Sequence, residues 1–441
     1  MPLPLLNVHR NPLVNFKTLQ LLNDIPIPEI TECLWNFPCP SLPDPEAELK
    51  AQLDKSSLAR TIRPGSRIAI TAGSRGISRI DTILARICEE VKKLHAHPVV
   101  VSAMGSHGGA TEEGQREILK GYGITPERVG APVLCSVTAV EVGKTADGMP
   151  VFIDDEAFQS DGIIVVNRVK SHTSFQGTTE SGLLKMLVVG LGKHKGAQHI
   201  HQLGTRGLKT GIPRAAQVIM NRVPVLLGIG ILENAQGDIA AIESLEPSEI
   251  EAGEARLLQQ AKKLMPAIPF KNIDVLVVQE MGKDVSGTGL DTNVIGRRMI
   301  AGEREPELPR ISRIVVLDLS AKSRGNATGI GLADIITQRL YDKINFEKTL
   351  LNIISSTFIE RAKIPLTLPT DKSAIQMGLM TCWKADPLTA RIMMVKNTRS
   401  LQQFFISNSL LPEALKINGM QCSQLFSSLR LNRDEDLEKY F

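Results

Sequence analysis

Short apolar runs alternate with amphipathic stretches through the first 265 residues. Four runs have the length and β-branched content of buried strands: RIAIT (67–71), PVVVSAM (98–104), GIIVV (162–166) and VPVLLGIGI (223–231). Helical spacing of apolar residues over 79–95, an N-cap candidate at Thr111 and a periodic stretch over 247–264, with Ser248 as its possible N-cap, predict three helices. This strand–loop–helix order predicts a doubly wound, parallel α/β architecture.

A second domain is expected after the prolines at 266 and 269, which end the last of these helices. Its strands are predicted at 273–279, 314–320 and 391–397, the last of them, with a helix near 332–341. The predicted organisation is an N-terminal domain (1–266, including a proline-rich arm over 1–66), a C-terminal domain (267–409) and a helical tail (410–441). Each domain is expected to have a largely parallel sheet flanked by helices, and a length of 441 residues suits two such cores.

Composition narrows the class of protein. Apolar residues make up 42% and charged residues 22%, as in ordinary globular proteins, and no window approaches the ~18 apolar residues of a membrane span. A net charge of +4 with spread cations, together with 4% aromatics, argues against a nucleic-acid binder. The six cysteines form no CxxC pair, and the N-terminus has no signal-peptide pattern, so reduced thiols in a cytoplasmic protein are expected.

Candidate chemistry gathers at the ends of three predicted strands. Arg75 lies in GSRG, His107 in GSHGG and His172 in KSHTS, and the stretch 166–204 holds four of the eight histidines. Each residue taken alone is more often a solvated loop residue than a ligand. Because neighbouring parallel strands end at one edge of a sheet, the three together predict a site there, with Arg75 suited to a carboxylate or phosphate.

The segment after His172 adds a lysine and two more histidines. Lys185 lies in the apolar run ESGLLKMLVVGLG, where it either snorkels out of a core helix or is a desolvated amine suited to a covalent bond. His199 and His201 share a face on a strand but diverge on a helix. HExxH, P-loop and GxGxxG patterns are absent from the sequence, which disfavours zinc proteases, P-loop enzymes and ordinary dehydrogenases.

These ordered motifs resemble, over about residues 60–300, the nickel-dependent lactate racemases, a family of nickel-pincer-nucleotide α-hydroxyacid racemases and epimerases. The chain is similar to a divergent member. The resemblance implies inversion at C2 of an α-hydroxyacid by reversible hydride transfer to the cofactor, through a 2-keto acid. Removal of a hydride avoids the carbanion that proton removal from C2 would require.

The resemblance also implies roles for individual residues. Lys185 matches the lysine that tethers pyridinium-3-thioamide-5-thiocarboxylic acid mononucleotide, and His201, with His199 as rival, matches the nickel ligand. His107 and His172 match the acid–base pair, whereas Arg75 matches a carboxylate-binding arginine. The remaining cofactor-binding matches are Ser74, Asn293, Arg297 and Arg298, and the chain departs from the family pattern at Ala72, where the family has aspartate, and at Gly296, where it has glutamine.

The expected partners follow from the same resemblance. They are a small α-hydroxyacid and the enzymes that mature the cofactor, with no nucleic acid, no membrane and a possible homodimer. The site is expected in the cleft between the two domains. The alternatives are a non-racemase relative that binds a nucleotide or metal, and a metal-dependent hydrolase or aldolase built on His199 and His201.

Overall fold

The computed structural model describes residues 16–438 and 440–441, except for the side chains of residues 16–18 and 355. The chain forms two compact units. We call Pro38–Met265 with Ser355–Thr357 the central unit, and Met1–Phe37, Pro266–Ile354 and Phe358–Phe441 the terminal unit. No helix in the described ranges is both long and apolar enough to cross a membrane.

The strands of the described chain are β1 (Ile30–Trp35), β2 (Arg67–Ala72), β3 (His97–Ser102), β4 (Val133–Leu134), β5 (Ala139–Lys144), β6 (Pro150–Asp154), β7 (Gly162–Arg168), β8 (Val225–Glu233), β9 (Ile239–Leu245), β10 (Asn272–Val278), β11 (Arg310–Val316), β12 (Ile335–Thr337), β13 (Leu366–Leu368), β14 (Ile392–Val395), β15 (Gln403–Ser407) and β16 (Met420–Cys422).

Its helices are α1 (Phe16–Asn23), α2 (Pro45–Lys55), α3 (Leu58–Thr61), α4 (Ile80–Lys93), α5 (Glu112–Gly121), α6 (Pro126–Val129), α7 (Asp155–Phe158), α8 (Leu183–Lys185), α9 (Lys193–Gln202), α10 (Gly204–Arg206), α11 (Ile212–Arg222), α12 (Ile250–Leu264), α13 (Gln338–Asp342), α14 (Phe346–Ser356), α15 (Asp371–Thr381) and α16 (Leu411–Ala414). A π-helical turn, Met186–Gly190, follows α8 directly.

The central unit is built on a six-stranded sheet of order β4-β3-β2-β7-β8-β9. All neighbours are parallel except β8 and β9. The chain runs from β2 outward through β3 to β4 and then returns to place β7 on the other side of β2. The gap between β2 and β7 is therefore the topological switch point, where open α/β sheets bind ligands.

Alternation along β2 explains how the central sheet is buried. Ile68, Ile70 and Ala72 point into one apolar cluster, where they meet Ile83, Ile87 and other residues from α4. The helix has apolar residues at helical spacing, as the sequence predicted, and Thr111 caps α5 by accepting the N–H of Gly114. The parallel, helix-flanked prediction is confirmed here.

The terminal unit has an eight-stranded sheet of order β13-β12-β11-β10-β14-β15-β1-β16. Strands β10 to β14 pair in parallel, while β15, β1 and β16 add an antiparallel edge. Alternate residues of β10 face opposite sides: Leu276 and Val278 enter one core cluster, and Val275 and Val277 enter the other. The parallel part of this sheet is also doubly wound, with β10 as its starting strand.

The arm and the tail differ from the predicted domain plan. The segment through Phe37 groups with the terminal unit and not with a 1–266 domain, because β1 pairs with β15 and β16. The predicted helical tail contains the short helix α16 and then a strand, β16, on the sheet edge. These pairings join segments nearly the whole chain apart, which local periodicity does not report.

Two cysteines predicted as free thiols are joined. Cys33 on β1 and Cys422 on β16 are register partners and form a disulfide across 389 residues of sequence. Cys39, Cys88, Cys135 and Cys382 are free. Reduced thiols are thus correct for four of the six cysteines, and strand pairing decides the other two.

Three local predictions need correction. Ser248 lies inside a 3-10 turn, and α12 begins two residues later, so Ser248 is not its N-cap. The helix expected near 332–341 begins only at Gln338, because Ile335–Thr337 pairs as a strand in the sheet. The strand predicted over 391–397 is followed by β15 and β16 and is not the last.

Candidate active site

Three loops leave the carboxyl edge of the central sheet beside its switch point. The loop after β2 carries Ser74 and Arg75, the loop after β3 carries His107, and the loop after β7 carries His172. The three strands are parallel neighbours, so their loops emerge on the same side. The structure thus places the three predicted loops where the sequence expected them.

A backbone carbonyl group determines which ring nitrogen of His107 carries the hydrogen. Its Nδ1 lies 2.9 Å from the carbonyl oxygen of Met104 and 2.9 Å from Ser74 Oγ. A carbonyl oxygen accepts only, so Nδ1 carries the hydrogen, and in the neutral ring Nε2 carries the lone pair. His107 is exposed, and its Nε2 is the nitrogen that would act as a base.

The loop that carries Arg75 is held from two sides. The hydroxyl of Tyr122 donates to the carbonyl oxygen of Ser74 at 3.2 Å. Glu233, at the end of β8, accepts the backbone N–H of Ser78 at 2.7 Å and forms an ion pair with Arg168 of β7. Because the Glu233 carboxylate binds both Ser78 and the end of β7, the Ser74–Ser78 segment is positioned by the strands of the sheet.

Lys185 and His172 form the closest pair of predicted site residues. Lys185 Nζ lies 2.7 Å from His172 Nε2. On the other side of the ring, the backbone N–H of Ser174 donates to His172 Nδ1 at 3.0 Å, and Phe175 packs against the ring with centroids 4.7 Å apart. The imidazole is thereby held with Nε2 toward the lysine.

A buried carboxyl group shapes the turn that presents Lys185. Glu254 of α12 is fully buried, and its Oε2 accepts the N–H of Leu184 at 2.8 Å. A Cβ at Gly182 would lie only 2.5 Å from this carboxyl group, so glycine is required for the approach. Burial raises the pKa of Glu254 to about 7, with backbone hydrogen bonds opposing the rise.

Positive charge surrounds Lys185. Burial, followed by the charges of Arg75 and Lys170, lowers the pKa of Lys185 to about 7. The pKa of Arg75 is also lowered, first by burial and then by Arg168, with Tyr122 opposing. The side chain of Arg75 nevertheless keeps access to solvent. Neighbouring cations of this kind suit an anionic ligand.

His201 and His199 point to different places, because both lie on α9 and residues two apart on a helix diverge. His201 Nδ1 is buried and has no hydrogen-bond partner, and burial followed by the charge of Lys185 lowers the pKa of His201 to about 4. His199 instead pairs its Nδ1 with the Lys195 carbonyl oxygen at 2.9 Å and packs on Phe152. The structure thus brings His201, and not His199, into the surroundings of Lys185.

No group of three or more His, Cys, Asp or Glu side chains in the described ranges is arranged to hold a metal ion. A metal-dependent hydrolase would need His199 and His201 to act together. This alternative is not favoured, because the two side chains diverge on α9.

A buried polar network links the start of α9 to the His107 loop. Lys193 Nζ lies 2.8 Å from Asp154 Oδ2 and 3.0 Å from Ser102 Oγ, and both ion-pair side chains are 1% exposed. Ser102 donates to Gln115 Oε1 at 2.7 Å, and the amide of Gln115 donates to the carbonyl oxygen of His107 at 3.5 Å. The network ties the helix of His201 to the loop of His107.

The remaining predicted residues lie in the terminal unit. Arg297 pairs with Asp334 at 2.9 Å, and the buried Arg298 donates to Asn293 Oδ1 at 3.2 Å. Gly296 has φ +63°, and a Cβ there would overlap the Pro309 carbonyl oxygen, so this backbone does not admit the family's glutamine. Their roles toward a cofactor stay predictions, as does the placement of the site in a cleft between domains.

Several residues with a place in this site were not singled out from the sequence. Lys170 stands two residues before His172 in the quoted motif, and that proximity was a usable signal. No sequence signal identified Glu233, Glu254 or Lys193, because each acts through a contact with a distant segment.

The fold and the site define a class of protein: two doubly wound α/β units, with an amine, imidazoles and a guanidinium gathered at the switch point of the central sheet. Residues 24–210 match the family described as the lactate racemase N-terminal domain. This part of the chain is therefore similar to the N-terminal domain of lactate racemases.

A solved structure supports the fold independently. The lactate racemase apoprotein from Thermoanaerobacterium thermosaccharolyticum superposes with a TM-score of 0.52, covering 84% of this chain and 99% of that chain. At 13% sequence identity, this likeness is one of fold. No curated protein matches the sequence.

Proposed function

We propose that this protein is a racemase or epimerase that inverts C2 of an α-hydroxyacid. The observation that carries the proposal is the Lys185–His172 pair, 2.7 Å apart, in the surroundings of Arg75 and His201 within a lactate racemase N-terminal domain. The family indicates an isomerase, and the site contains the side chains that such a reaction needs.

Arg75 would bind the substrate carboxylate. A guanidinium donates two parallel hydrogen bonds to a carboxylate, and the surrounding protein, which lowers the pKa of Arg75, strengthens that interaction relative to water. Its loop is fixed through Ser74 and Ser78, so the carboxylate would be held in one orientation. A fixed carboxylate leaves C2 and its hydroxyl in a defined position while the configuration changes.

His107 and His172 would exchange the hydroxyl proton. Neutral His107 has its lone pair on Nε2, so it would accept the proton when the hydroxyl becomes a carbonyl and return it afterwards. His172 would act from the opposite protonation state for the other enantiomer. Its Nδ1 accepts the N–H of Ser174, so its Nε2 carries the hydrogen and would donate it when the carbonyl becomes the hydroxyl, and take it back in the reverse reaction.

The residues present fit a lysine-tethered nickel-pincer nucleotide. Lys185 would provide the tethering amine, and His201, whose buried Nδ1 has no partner and whose lowered pKa keeps the ring neutral, would provide one nickel ligand. The chemistry that such a group supplies when bound is reversible acceptance of a hydride from C2. Arg75 and Lys170 would balance its anionic groups, and Asn293, Arg297 and Arg298 are proposed to contact it from the terminal unit.

The proposal is tested on protein produced together with cofactor-maturation enzymes of a related system. We expect a cofactor-sized mass on Lys185, about one nickel per chain, and interconversion of the enantiomers of one hydroxyacid among lactate, malate and longer analogues, followed by chiral chromatography. His201→Asn should lose nickel, whereas the matched variant His199→Asn, on the same helix, should keep it. An unmodified Lys185 without nickel or racemisation, under conditions that load a known lactate racemase, would overturn the proposal.

A further inference from the structure

The Lys185–His172 pair has a proton arrangement that its neighbours dictate. The backbone N–H of Ser174 is a donor only, and it points at His172 Nδ1 at 3.0 Å, so Nδ1 carries a lone pair. The neutral ring then carries its hydrogen on Nε2, 2.7 Å from Lys185 Nζ. A hydrogen bond between these atoms requires Nζ to accept, and only an uncharged amine has a lone pair with which to do so.

The surroundings of Lys185 favour the same state. Burial and the neighbouring charges of Arg75 and Lys170 oppose protonation, and they bring the pKa of Lys185 to about 7. An uncharged, partly shielded amine is a nucleophile at neutral pH, unlike an exposed lysine. The imidazole N–H beside it is a proton donor to any oxygen that develops charge at the same place.

Arg75 adds a selectivity for carboxylates. Its charge is close enough to lower the pKa of Lys185, and its side chain is exposed to solvent. A ligand held there by its carboxylate would present the atom next to the carboxylate toward the amine. When that atom is a carbonyl carbon, as in a 2-oxo acid, it is an electrophile that an amine attacks.

We propose that Lys185 of the unmodified chain forms a reversible imine with 2-oxo acids, with Arg75 binding the carboxylate and His172 Nε2 donating a proton. The Nζ lone pair bonds to the carbonyl carbon, and the C=O π pair moves to oxygen, which takes the proton from His172. His172 recovers a proton from Nζ, and the carbinolamine then loses its hydroxyl group as water as the C=N bond forms. Amine and ketone give imine and water, and no oxidant or reductant is consumed.

This activity goes beyond the proposed racemase function and does not depend on it. A chain with Lys185 already bonded to a cofactor has no free amine, so imine formation belongs to the unmodified protein only. A 2-oxo acid would therefore compete with cofactor attachment for the same nitrogen. The two functions would exclude each other on one chain.

The experiment uses full-length protein produced without cofactor-maturation enzymes. Pyruvate and sodium cyanoborohydride are added, and peptide mapping measures the reduced adduct on each lysine between pH 6 and 9. We expect Lys185 to label on the order of tenfold faster than the exposed Lys195, with a rate that rises around neutral pH. Lys185→Met should abolish this labelling, whereas the matched variant Lys195→Met should leave labelling of Lys185 unchanged.

Two further variants separate the proposed roles. Arg75→Met should slow labelling of Lys185 by pyruvate on the order of tenfold while leaving its labelling by acetone, which has no carboxylate, unchanged. His172→Gln should slow labelling by both ketones. Circular dichroism confirms that each variant is folded. Labelling of Lys185 no faster than that of Lys195, or equal sensitivity of pyruvate and acetone to Arg75→Met, would overturn the proposal, whereas a failure to load nickel or racemise would bear only on the racemase function.

Discussion

Single backbone groups decide how the two site histidines behave. The Met104 carbonyl oxygen requires a hydrogen on Nδ1 of His107, and the Ser174 N–H requires a lone pair on Nδ1 of His172. The neutral rings therefore expose opposite states at Nε2: a base on His107 and a hydrogen-bond donor on His172. Two identical side chains obtain different chemistry from one local hydrogen bond each.

The buried amine of Lys185, which the proposed chemistry uses, should lower the free energy of unfolding. Its folded pKa of about 7 is below the ordinary lysine value of 10.5, so the unfolded chain binds more protons between these values, and the free energy of unfolding rises with pH in that window. Lys185→Met removes the buried charge and should stabilise the protein by about 1–2 kcal/mol at pH 6. The gain should shrink as pH rises from 7 toward 10.5.

Urea unfolding of both proteins at pH 6, 8 and 10 measures this effect. Lys195→Met is the control, because Lys195 is exposed on α9. A gain for Lys185→Met that is constant over this pH range would show that the amine is not desolvated in the folded protein.

At the scale of elements, buried polar groups from one element position the chemistry of another. Glu254 of α12 accepts the N–H of Leu184 and packs on Gly182, so it sets the turn that presents Lys185. Lys193 at the start of α9 reaches Asp154 at the end of β6 and Ser102 at the end of β3. Secondary structure alone would not hold these loops, because each is glycine-rich and irregular.

Glu254 should make stability depend on pH in the opposite sense to Lys185. Its folded pKa of about 7 is above the ordinary glutamate value of 4.5, so the folded state binds more protons in this window, and stability falls as pH rises from 4.5 to 7. Glu254→Gln keeps an acceptor for the Leu184 N–H and should remove that fall. Glu254→Ala loses the acceptor and should cost about 1–3 kcal/mol at pH 5.

Thermal unfolding from pH 4.5 to 8 compares these two variants with the unsubstituted chain. If Glu254→Gln retains the full decline in unfolding temperature, the carboxyl group is not the group that titrates. If Glu254→Ala is as stable as Glu254→Gln, the bond to Leu184 contributes nothing.

Replacing only Lys193 of the Lys193–Asp154 ion pair should destabilise the protein more than replacing both residues. Lys193→Met leaves the carboxylate of Asp154 buried without its partner, and burial already raises the pKa of that carboxyl group. The single variant should lose about 3–5 kcal/mol. Lys193→Met with Asp154→Leu should recover most of the loss, because no buried charge remains, although the Ala157 N–H loses its acceptor.

A double-mutant cycle by chemical denaturation provides the measurement. Additive effects of the two substitutions would contradict a coupled buried pair.

At the scale of the whole molecule, the two ends of the described chain meet in the terminal unit. Strand β1 pairs with β15 and β16, and the Cys33–Cys422 disulfide closes a loop of 389 residues in sequence. A covalent link between such distant segments restricts the unfolded chain more than the folded one. The antiparallel edge of this sheet is therefore held by segments from both ends of the described chain.

Replacement of both Cys33 and Cys422 by serine should destabilise the terminal unit by about 2–4 kcal/mol. Iodoacetamide labelling of denatured protein without reductant should modify only Cys39, Cys88, Cys135 and Cys382. Cys39→Ser is the matched control, which should change stability little because Cys39 is a free, half-buried thiol. Labelling of all six cysteines without reductant would show that the disulfide is absent from the purified protein.

Local pattern in the sequence was sufficient for the elements of the central sheet. The strands at 67–71, 98–104 and 162–166, the helix after Arg79 and the cap at Thr111 follow from periodicity and capping, which depend on residues within one or two turns. The order of strand ends then placed Arg75, His107 and His172 in neighbouring loops. Lys185 and His201 were singled out from an apolar run and an HIH pair, and the motif resemblance gave them roles. The structure places both in one electrostatic environment.

Only the tertiary structure decided what those residues are able to do. The helical state of α9 separates His201 from His199, burial and two cations lower the pKa of Lys185, and Glu254 shapes its turn from about 70 residues away in sequence. The same holds for the pairing of β1 with the C-terminal strands. The physical reason is that periodicity records which side of an element is buried, whereas a pKa, a register or a disulfide depends on the particular distant atoms that burial brings together.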